Sequence, residues 1–533
     1  MESLAVDIAT MTRTPLHDAH VNRLRRIGAE RIFKPGEMLA SFGEEADTFF
    51  YILEGEVEAV DPVSGKRYGD GATLGPTQFG GEISLLSGGM ALLGSRAVER
   101  TRVIWVKRDD LLQVMSEVPE MSDIIVTVLA GRRRRLLESN RAGLTILGAD
   151  QDSNLRAIAA FAGRNRIPVR TLDIDDPERE TYCDVTGKVP GVYLGRKKIT
   201  EPTPRSIARL IGLDRAIGDE IFDVLIVGSG PSGVAAAVYA GAEGLSALVI
   251  DSHAIGGQAG TSSRIENYMG FPTGISGADL CWRGEVQAMK FGIRFAVPRS
   301  ACSLTRQADG LFCVELDDGA QVCARTIVVA TGVQYRRLPL DRLENFESNG
   351  IYYAATDVEA RYCRQKDAVV IGGGNSAGQA AMFLSRSTPH VHVLVRSNSL
   401  AASMSDYLSG RLEKDPSITI HYGSQMSHLH GDERLEGITV SQGATSRQIE
   451  TNGVFVMVGA APNTDWLSGC VDLDPKGFVL TGRDVGGRSG FETSEPGIFA
   501  VGDVRAGSVK RVASSVGEGS VVISHVWAHV NAE

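Results

Sequence analysis

The chain is poor in cysteine and in net basic charge, and it has no unbroken apolar run of membrane-spanning length. Seven cysteines are spread over 533 residues, and no two are separated by two residues. That spacing excludes a disulfide-rich scaffold, a zinc ribbon and a local C-x-x-C redox pair. The formal net charge is -10. A nucleic-acid binder needs a basic field to neutralise phosphates, and this balance does not supply one. The uncharged stretch Val224–Ala242 has 19 residues, but Gly228, Gly230, Pro231 and Gly233 interrupt it. It reads as a buried strand, turn and helix, and no membrane span is expected. The first ten residues carry Glu2 and Asp7 around no apolar core, so no signal peptide is expected. A cytoplasmic home with reduced thiols follows. The ten histidines show no metal-ligand spacing, and no metal site is expected. There is no nucleophile elbow and no P-loop.

What remains is a globular composition, 43% apolar and 23% charged, with 61 glycines. The length predicts about three to five domains. From about residue 20 to 110 the chain reads as short strands and turns, with turns at Pro35-Gly36 and Asp70-Gly71 and strands around Phe49–Leu53 and Val57–Val60. Residues 110–142 change to helical spacing, with Leu111, Met115, Ile125, Val128 and Leu129 in phase. The run Arg132–Arg135 in this stretch reads as a solvated interdomain helix. Residues 144–213 alternate strand and helix, and Asp214–Glu220 reads as a charged linker. From Phe222 onward the pattern is α/β with large glycine-rich turns.

Two of those turns carry chemistry. The buried strand Asp223–Val227 runs into Gly228-Ser229-Gly230-Pro231-Ser232-Gly233 and then an alanine-rich helix. The first glycine permits the turn, the second lets a pyrophosphate approach, and the third packs helix on strand. The helix N-terminus stabilises the anion. The next strand ends at Asp251, 18 residues after Gly233, in the place of an acceptor for a ribose hydroxyl. A second unit runs from Asp367–Ile371 through Gly372-Gly373-Gly374-Asn375-Ser376-Ala377. Its following strand ends in Arg396, which suits a 2′-phosphate and favours NADPH over NADH. Two dinucleotide folds in one chain imply two dinucleotides, FAD and a nicotinamide.

These residues carry a resemblance. Residues 222–533 resemble the low-molecular-weight thioredoxin reductase family of two-dinucleotide flavoproteins. Gly256-Gly257-Gln258 and Ile265-Glu266-Asn267-Tyr268 look like its flavin segments, and Ala330-Thr331-Gly332 looks like its return to the flavin domain. Val458-Gly459-Ala460-Ala461-Pro462 fits the return from the nicotinamide domain. Val501-Gly502-Asp503 resembles the segment that holds the ribityl chain, and Lys510-Arg511-Val512 resembles the last flavin contact. The resemblance implies a homodimer and hydride transfer from NADPH to FAD. It fails at the reactive centre, where the family places a C-A-T-C-D segment. Ala354 and Asp357 stand at the two cysteine positions and Val358 at the acid. Cys363, beside Arg361, Tyr362 and Arg364, is the nearby thiol, and adjacent cations would lower its pKa. It is the candidate catalytic residue.

Residues 20–140 resemble a cyclic-nucleotide-binding domain, through Phe33–Glu37, Tyr51–Val57 and Gly80–Leu86. Its phosphate cassette places an arginine where this chain has Ala91 and Leu92, and Arg96 fits the following strand. Residues 144–213 resemble a thioredoxin- or glutaredoxin-like module, with Val189-Pro190-Gly191-Val192 at its proline turn and no cysteine in Gly148–Ser153. Cys183 reads as a packing residue. The expected fold class is α/β, with two Rossmann-like three-layer dinucleotide domains behind a β-barrel and a small thioredoxin-like domain. The expected boundaries are 1–142, 143–214, 221–337 for the first flavin segment, 338–464 for the nicotinamide domain and 465–533 for the second flavin segment. The expected activity is an FAD-dependent NAD(P)H oxidoreductase passing electrons to an external acceptor. That acceptor is a protein disulfide, a ferredoxin- or flavodoxin-like protein, a quinone or oxygen. The alternative is a ligand- or redox-responsive flavoprotein gated by the N-terminal domain.

Overall fold

The computed structural model describes residues 12–532 apart from 70–72, 82–83, 140–142, 150–151, 183–189, 215–216, 263–264, 266, 336, 348, 354, 356–358, 361–362, 364, 402, 433 and 444. The Asp70-Gly71 turn, Glu82, Cys183, Val189, Glu266 and the replaced C-x-x-C positions Ala354, Asp357 and Val358 therefore lie outside the described residues.

The N-terminal region is antiparallel. One sheet orders Ala29–Phe33, Thr101–Lys107 and Thr48–Glu54, and a second orders Met38–Ala40, Gly94–Ala97, Val57–Val60 and Thr73–Leu74. Phe49 and Phe50 face opposite sides of their strand, so one fills each of two apolar clusters. Helices Arg108–Glu117 and Pro119–Ser139 follow, divided at Val118 because a residue before proline disfavours helical backbone. The next unit is a four-stranded sheet ordered Lys197–Lys198, Gly191–Leu194, Leu144–Leu147 and Val169–Leu172. Helix Ser153–Arg164 packs on it. Asp152 caps that helix by accepting from the Leu155 amide, and Leu155, Ile158, Phe161 and Ala162 form its buried face.

The first dinucleotide sheet orders Arg294–Ala296, Ala247–Ile250, Ile221–Val227, Gln321–Val329, Phe312–Leu316 and Ala301–Arg306. Ile498–Ala500 returns from late in the chain to pair with Gln321–Val329. The second sheet is parallel and orders Ile351–Tyr352, Gly453–Val456, Ala368–Ile371, Val391–Val395 and Ile418–Tyr422. Their central strands are apolar runs because helices cover both faces. A two-stranded ribbon, Val333–Tyr335 with Ala460–Pro462, joins the two domains.

Three expectations are corrected. The Arg132–Arg135 run is solvated only at Arg135, and Arg132–Arg134 are partly covered. Arg132 lies over the Phe79 ring and donates to Thr12 O and Gly81 O, and burial pulls its pKa down to about 10. Arg134 donates to Asp279 Oδ1 at 2.9 Å, and Arg166 of the thioredoxin-like module donates to the same oxygen at 2.8 Å. Asp279 opens helix Gly277–Lys290 of the flavin domain, so three regions meet at one carboxylate. Trp282 and Val286 of that helix lie in the core of the N-terminal barrel and helices. Second, Asp214 is no linker residue. Its carboxylate is fully buried and accepts from Arg205, Arg209 and Arg299, which tie the small module to the flavin domain. Third, the thiols are not all reduced. Cys313 and Cys323 stand opposite each other on neighbouring antiparallel strands and form a disulfide.

Candidate functional site

The turn after strand Ile221–Val227 has the geometry its glycines predict. Gly228 has φ +103°, and a Cβ there would lie 2.3 Å from Ala330 O. A Cβ on Gly233 would lie 1.9 Å from Gly228 O, so only glycine lets the helix sit this close to the strand. Gly230 is different: its Cβ would meet nothing within 4 Å, which leaves an open approach for a ligand. Helix Pro231–Ala242 begins at this point and turns its unsatisfied amides and positive dipole end to the turn.

These residues border a cavity of about 1470 Å³. Gly228, Gly230, Pro231 and Ser232 line it with Asp251, Gly257, Gln258 and Asn267. Thr331, Gly332, Asp503, Lys510, Arg511 and Val512 line it from later segments. Gly233, Gly256 and Gly502 stand behind that wall; the Gly256 amide donates to Ser229 O, and the Gly502 amide donates to Glu518 Oε2. Helix Val512–Val530 brings its N-terminus to the cavity and packs so close that a Cβ on Gly519 would lie 2.1 Å from Ser232 O.

Asp251 accepts from the Ser229 amide and hydroxyl on one oxygen and from the His253 and Ala254 amides on the other. Asp503 is less well served. Its Oδ1 is buried with no hydrogen-bond donor. Burial raises its pKa, Lys510 works against that, and Glu518 adds to it. A buried carboxylate with an orphaned oxygen beside a ligand-sized cavity calls for a donor such as a ribityl hydroxyl. With the open approach at Gly230, the residues fit FAD.

The second turn repeats the first. Gly372 has φ +143°, and a Cβ would lie 2.3 Å from Met457 O. Gly374 caps helix Asn375–Leu384, in which Ala377 is buried. Asn375 and Ser376 line the same cavity as the flavin-side residues, so the two turns address one space. Asn375 Oδ1 accepts from the Ser405 amide at 2.9 Å. Arg396 is exposed just past strand Val391–Val395, outside the cavity lining, and Gly459 has φ +96° beside the interdomain ribbon.

Cys363 does not belong to this site. It is fully buried in the nicotinamide-domain core with Ala368 and Phe455, and its thiol donates to Glu359 O. Burial pushes its pKa up to about 12, with Glu359 adding to the rise, so it is not an activated thiolate. Its expected cationic neighbours, Arg361 and Arg364, lie outside the described residues.

The cavity also holds residues that the glycine motifs do not announce. Trp282 and Glu285 reach it from helix Gly277–Lys290, and Arg164, Asn165 and Arg166 reach it from the thioredoxin-like module. Burial raises the Glu285 pKa, and Arg133 and Arg166 pull it back. Only the i, i+3 spacing of 282 and 285 was available as a signal in the sequence. Among the described residues, no group of three His, Cys, Asp or Glu gathers to hold a metal ion. No helix among them is long and apolar enough to cross a membrane.

Residues 222–519 match the pyridine nucleotide-disulphide oxidoreductase family model. The chain belongs to that family. Residues 30–118 match the cyclic nucleotide-binding domain model. The chain is 34% identical over 316 residues to the NADPH-dependent thioredoxin reductase 3 of Arabidopsis thaliana, covering 57% of each chain. It thus spans just over half the length of that relative. It is 31% identical over 303 residues to the thioredoxin reductase of Streptomyces clavuligerus, covering 56% of this chain and 91% of the relative. The structure of Lactococcus lactis thioredoxin reductase in its FR conformation superposes with a TM-score of 0.54 at 26% identity, covering 58% of this chain and all of the other. FAD and NADPH are the cofactors of this family.

The cyclic-nucleotide-binding region departs from a binding site in three places. Leu92, at an expected arginine position, is buried in the thioredoxin-like core with Ile146, Ile207 and Ile211. Arg96 is committed to Glu58, which it meets at 2.6 Å and which Arg67 also meets at 2.9 Å. A Cβ on Gly80 would fall within 1.9 Å of the Phe50 ring.

Proposed function

We propose that the chain is an FAD-dependent NADPH oxidoreductase that delivers electrons to an external acceptor without an internal dithiol. The observation that carries this reading is the shared cavity: both glycine turns line it, while the sequence has Ala354 and Asp357 where the family carries its cysteine pair. Bound FAD supplies hydride acceptance from the nicotinamide and onward electron transfer. The chain's part is positioning and charge. Asn375, Ser376 and the helix behind them hold the nicotinamide dinucleotide, and exposed Arg396 suits its 2′-phosphate. Gly228–Gly233 and Asp251 hold the FAD pyrophosphate and ribose, Asp503 the ribityl chain, and the start of helix Val512–Val530 favours negative charge on the flavin.

The acceptor classes are an external protein disulfide, a ferredoxin- or flavodoxin-like protein, a quinone and oxygen. Exposed Tyr239 and Met269 give the flavin domain apolar surface suited to a homodimer contact. A cytoplasmic location suits the reductant. Stopped-flow addition of NADPH to the flavin-loaded chain tests the reading: the flavin band bleaches, and successive acceptors restore it at different rates. A flavin that stays oxidised under NADPH sinks it.

The gated reading is favoured by one observation. Helix Gly277–Lys290 puts Trp282 into both the N-terminal core and the cavity wall, so a change in the barrel bears directly on the cleft. Calorimetry with cyclic AMP and cyclic GMP, alongside NADPH oxidation, separates the two. Binding that alters turnover supports gating, and silence leaves the barrel a docking element.

A further inference from the structure

The family match starts at residue 222, yet part of the cofactor cavity is built by residues before it. The end of helix Ser153–Arg164 contributes Gly163, Arg164 and Asn165 to the same lining as Gly230 and Asp251. Asn165 Nδ2 donates to Phe161 O and His253 O, each at 3.0 Å. That bond fastens the helix end to the chain two residues beyond the ribose acid. Val297 reinforces the junction: it lies in the module's core, and its amide donates to Leu213 O.

A dinucleotide with its pyrophosphate on the Gly228–Gly233 turn and a ribose at Asp251 carries its adenine past Asp251. Ser252, His253 and Ser300 line the cavity on that side, where the module has been docked. Arg164 is exposed there, and no ion pair or hydrogen bond of its side chain is found among the described residues. A guanidinium on such a wall is suited to the flat face of a purine.

We infer that the thioredoxin-like module is part of the FAD site, closing the adenosine half of the cleft with Arg164 against the adenine. The module has no cysteine pair to act with, and this role needs none. It also gives FAD binding a direct hold on the junction between the two halves of the chain.

The test uses the full-length chain freed of flavin and titrated with FAD and with FMN, which lacks the adenosine half. Arg164→Ala weakens FAD binding about tenfold, the size of a cation over an aromatic face in a partly desolvated site. FMN binding stays unchanged, Arg164→Lys falls between wild type and Arg164→Ala for FAD, and the melting temperature of the flavin-free chain does not move. Unchanged FAD affinity in Arg164→Ala, or equal losses of FAD and FMN, overturns the inference.

Discussion

The flavin cleft and the barrel cassette both rest on glycine-bearing turns, but the first opens onto a cavity and the second is packed against protein. In the cleft, Gly230 opens onto empty space and Asp503 keeps an oxygen without a donor. In the cassette region, Gly80 is pressed on Phe50, Gly81 O is taken by Arg132, and Arg96 is paired with Glu58. A site that awaits a ligand leaves polar capacity unmet and tolerates the cost. The cassette region instead commits Gly80, Gly81 and Arg96 to protein neighbours and buries an apolar residue, Leu92, where a charge would serve a phosphate.

Restoring the charge is the strongest way to break that contrast. Leu92→Arg puts an unpaired cation into the thioredoxin-like core and costs about 3 to 5 kcal/mol. Denaturant melts show it as a lost or broadened transition, with no gain in cyclic-nucleotide binding. A well-folded variant that binds cyclic AMP would erase the distinction. Next comes Gly230→Ala, whose added Cβ meets no protein atom but narrows the pyrophosphate approach. FAD affinity falls about a hundredfold, the loss of two charge-assisted hydrogen bonds, while the flavin-free chain melts normally. Flavin absorbance per chain measures the first effect and calorimetry the second.

Asp503→Asn sharpens the comparison with two opposite signs. FAD affinity falls about tenfold, as for one hydrogen bond to a charged group. The flavin-free chain becomes more stable at neutral pH, because ionising a carboxylate with a raised pKa opposes folding. In the wild type, stability at low pH relative to this variant is lost as pH rises from the unfolded carboxylate value through the raised folded one. A pH series of melting temperatures on flavin-free protein checks the slope. The smallest effect belongs to Cys363→Ser, whose NADPH oxidation and disulfide reduction match the wild type in steady-state assays. A large loss there would return the thiol to the mechanism.

The dinucleotide half was legible because its residue types are forced locally. Gly228, Gly233 and Gly372 are needed by backbone that lies within 3 Å of where a Cβ would be. The junctions were not legible, because Leu92, Arg134, Asn165, Asp214 and Trp282 take their roles from residues far along the chain. Arg133 and Arg134 look solvated in sequence only because Glu285 and Asp279 stand about 150 positions away. The disulfide had a usable signal. The hairpin turn centres on Asp318, and Cys313 and Cys323 sit symmetrically about it on paired strands. Cys363 misled for the same reason in reverse: nearby arginines in sequence say little about a thiol pointing into a core.

The placement of Trp282 has a practical edge. A reductase fragment cut out at residue 222 would carry this indole and Val286 uncovered, along with Asp279 stripped of both its arginines. Such a fragment would expose a sticky face and aggregate on expression, however complete its cofactor motifs. The fusion point is therefore not a place where evolution or a cloning scheme can freely exchange one front half for another.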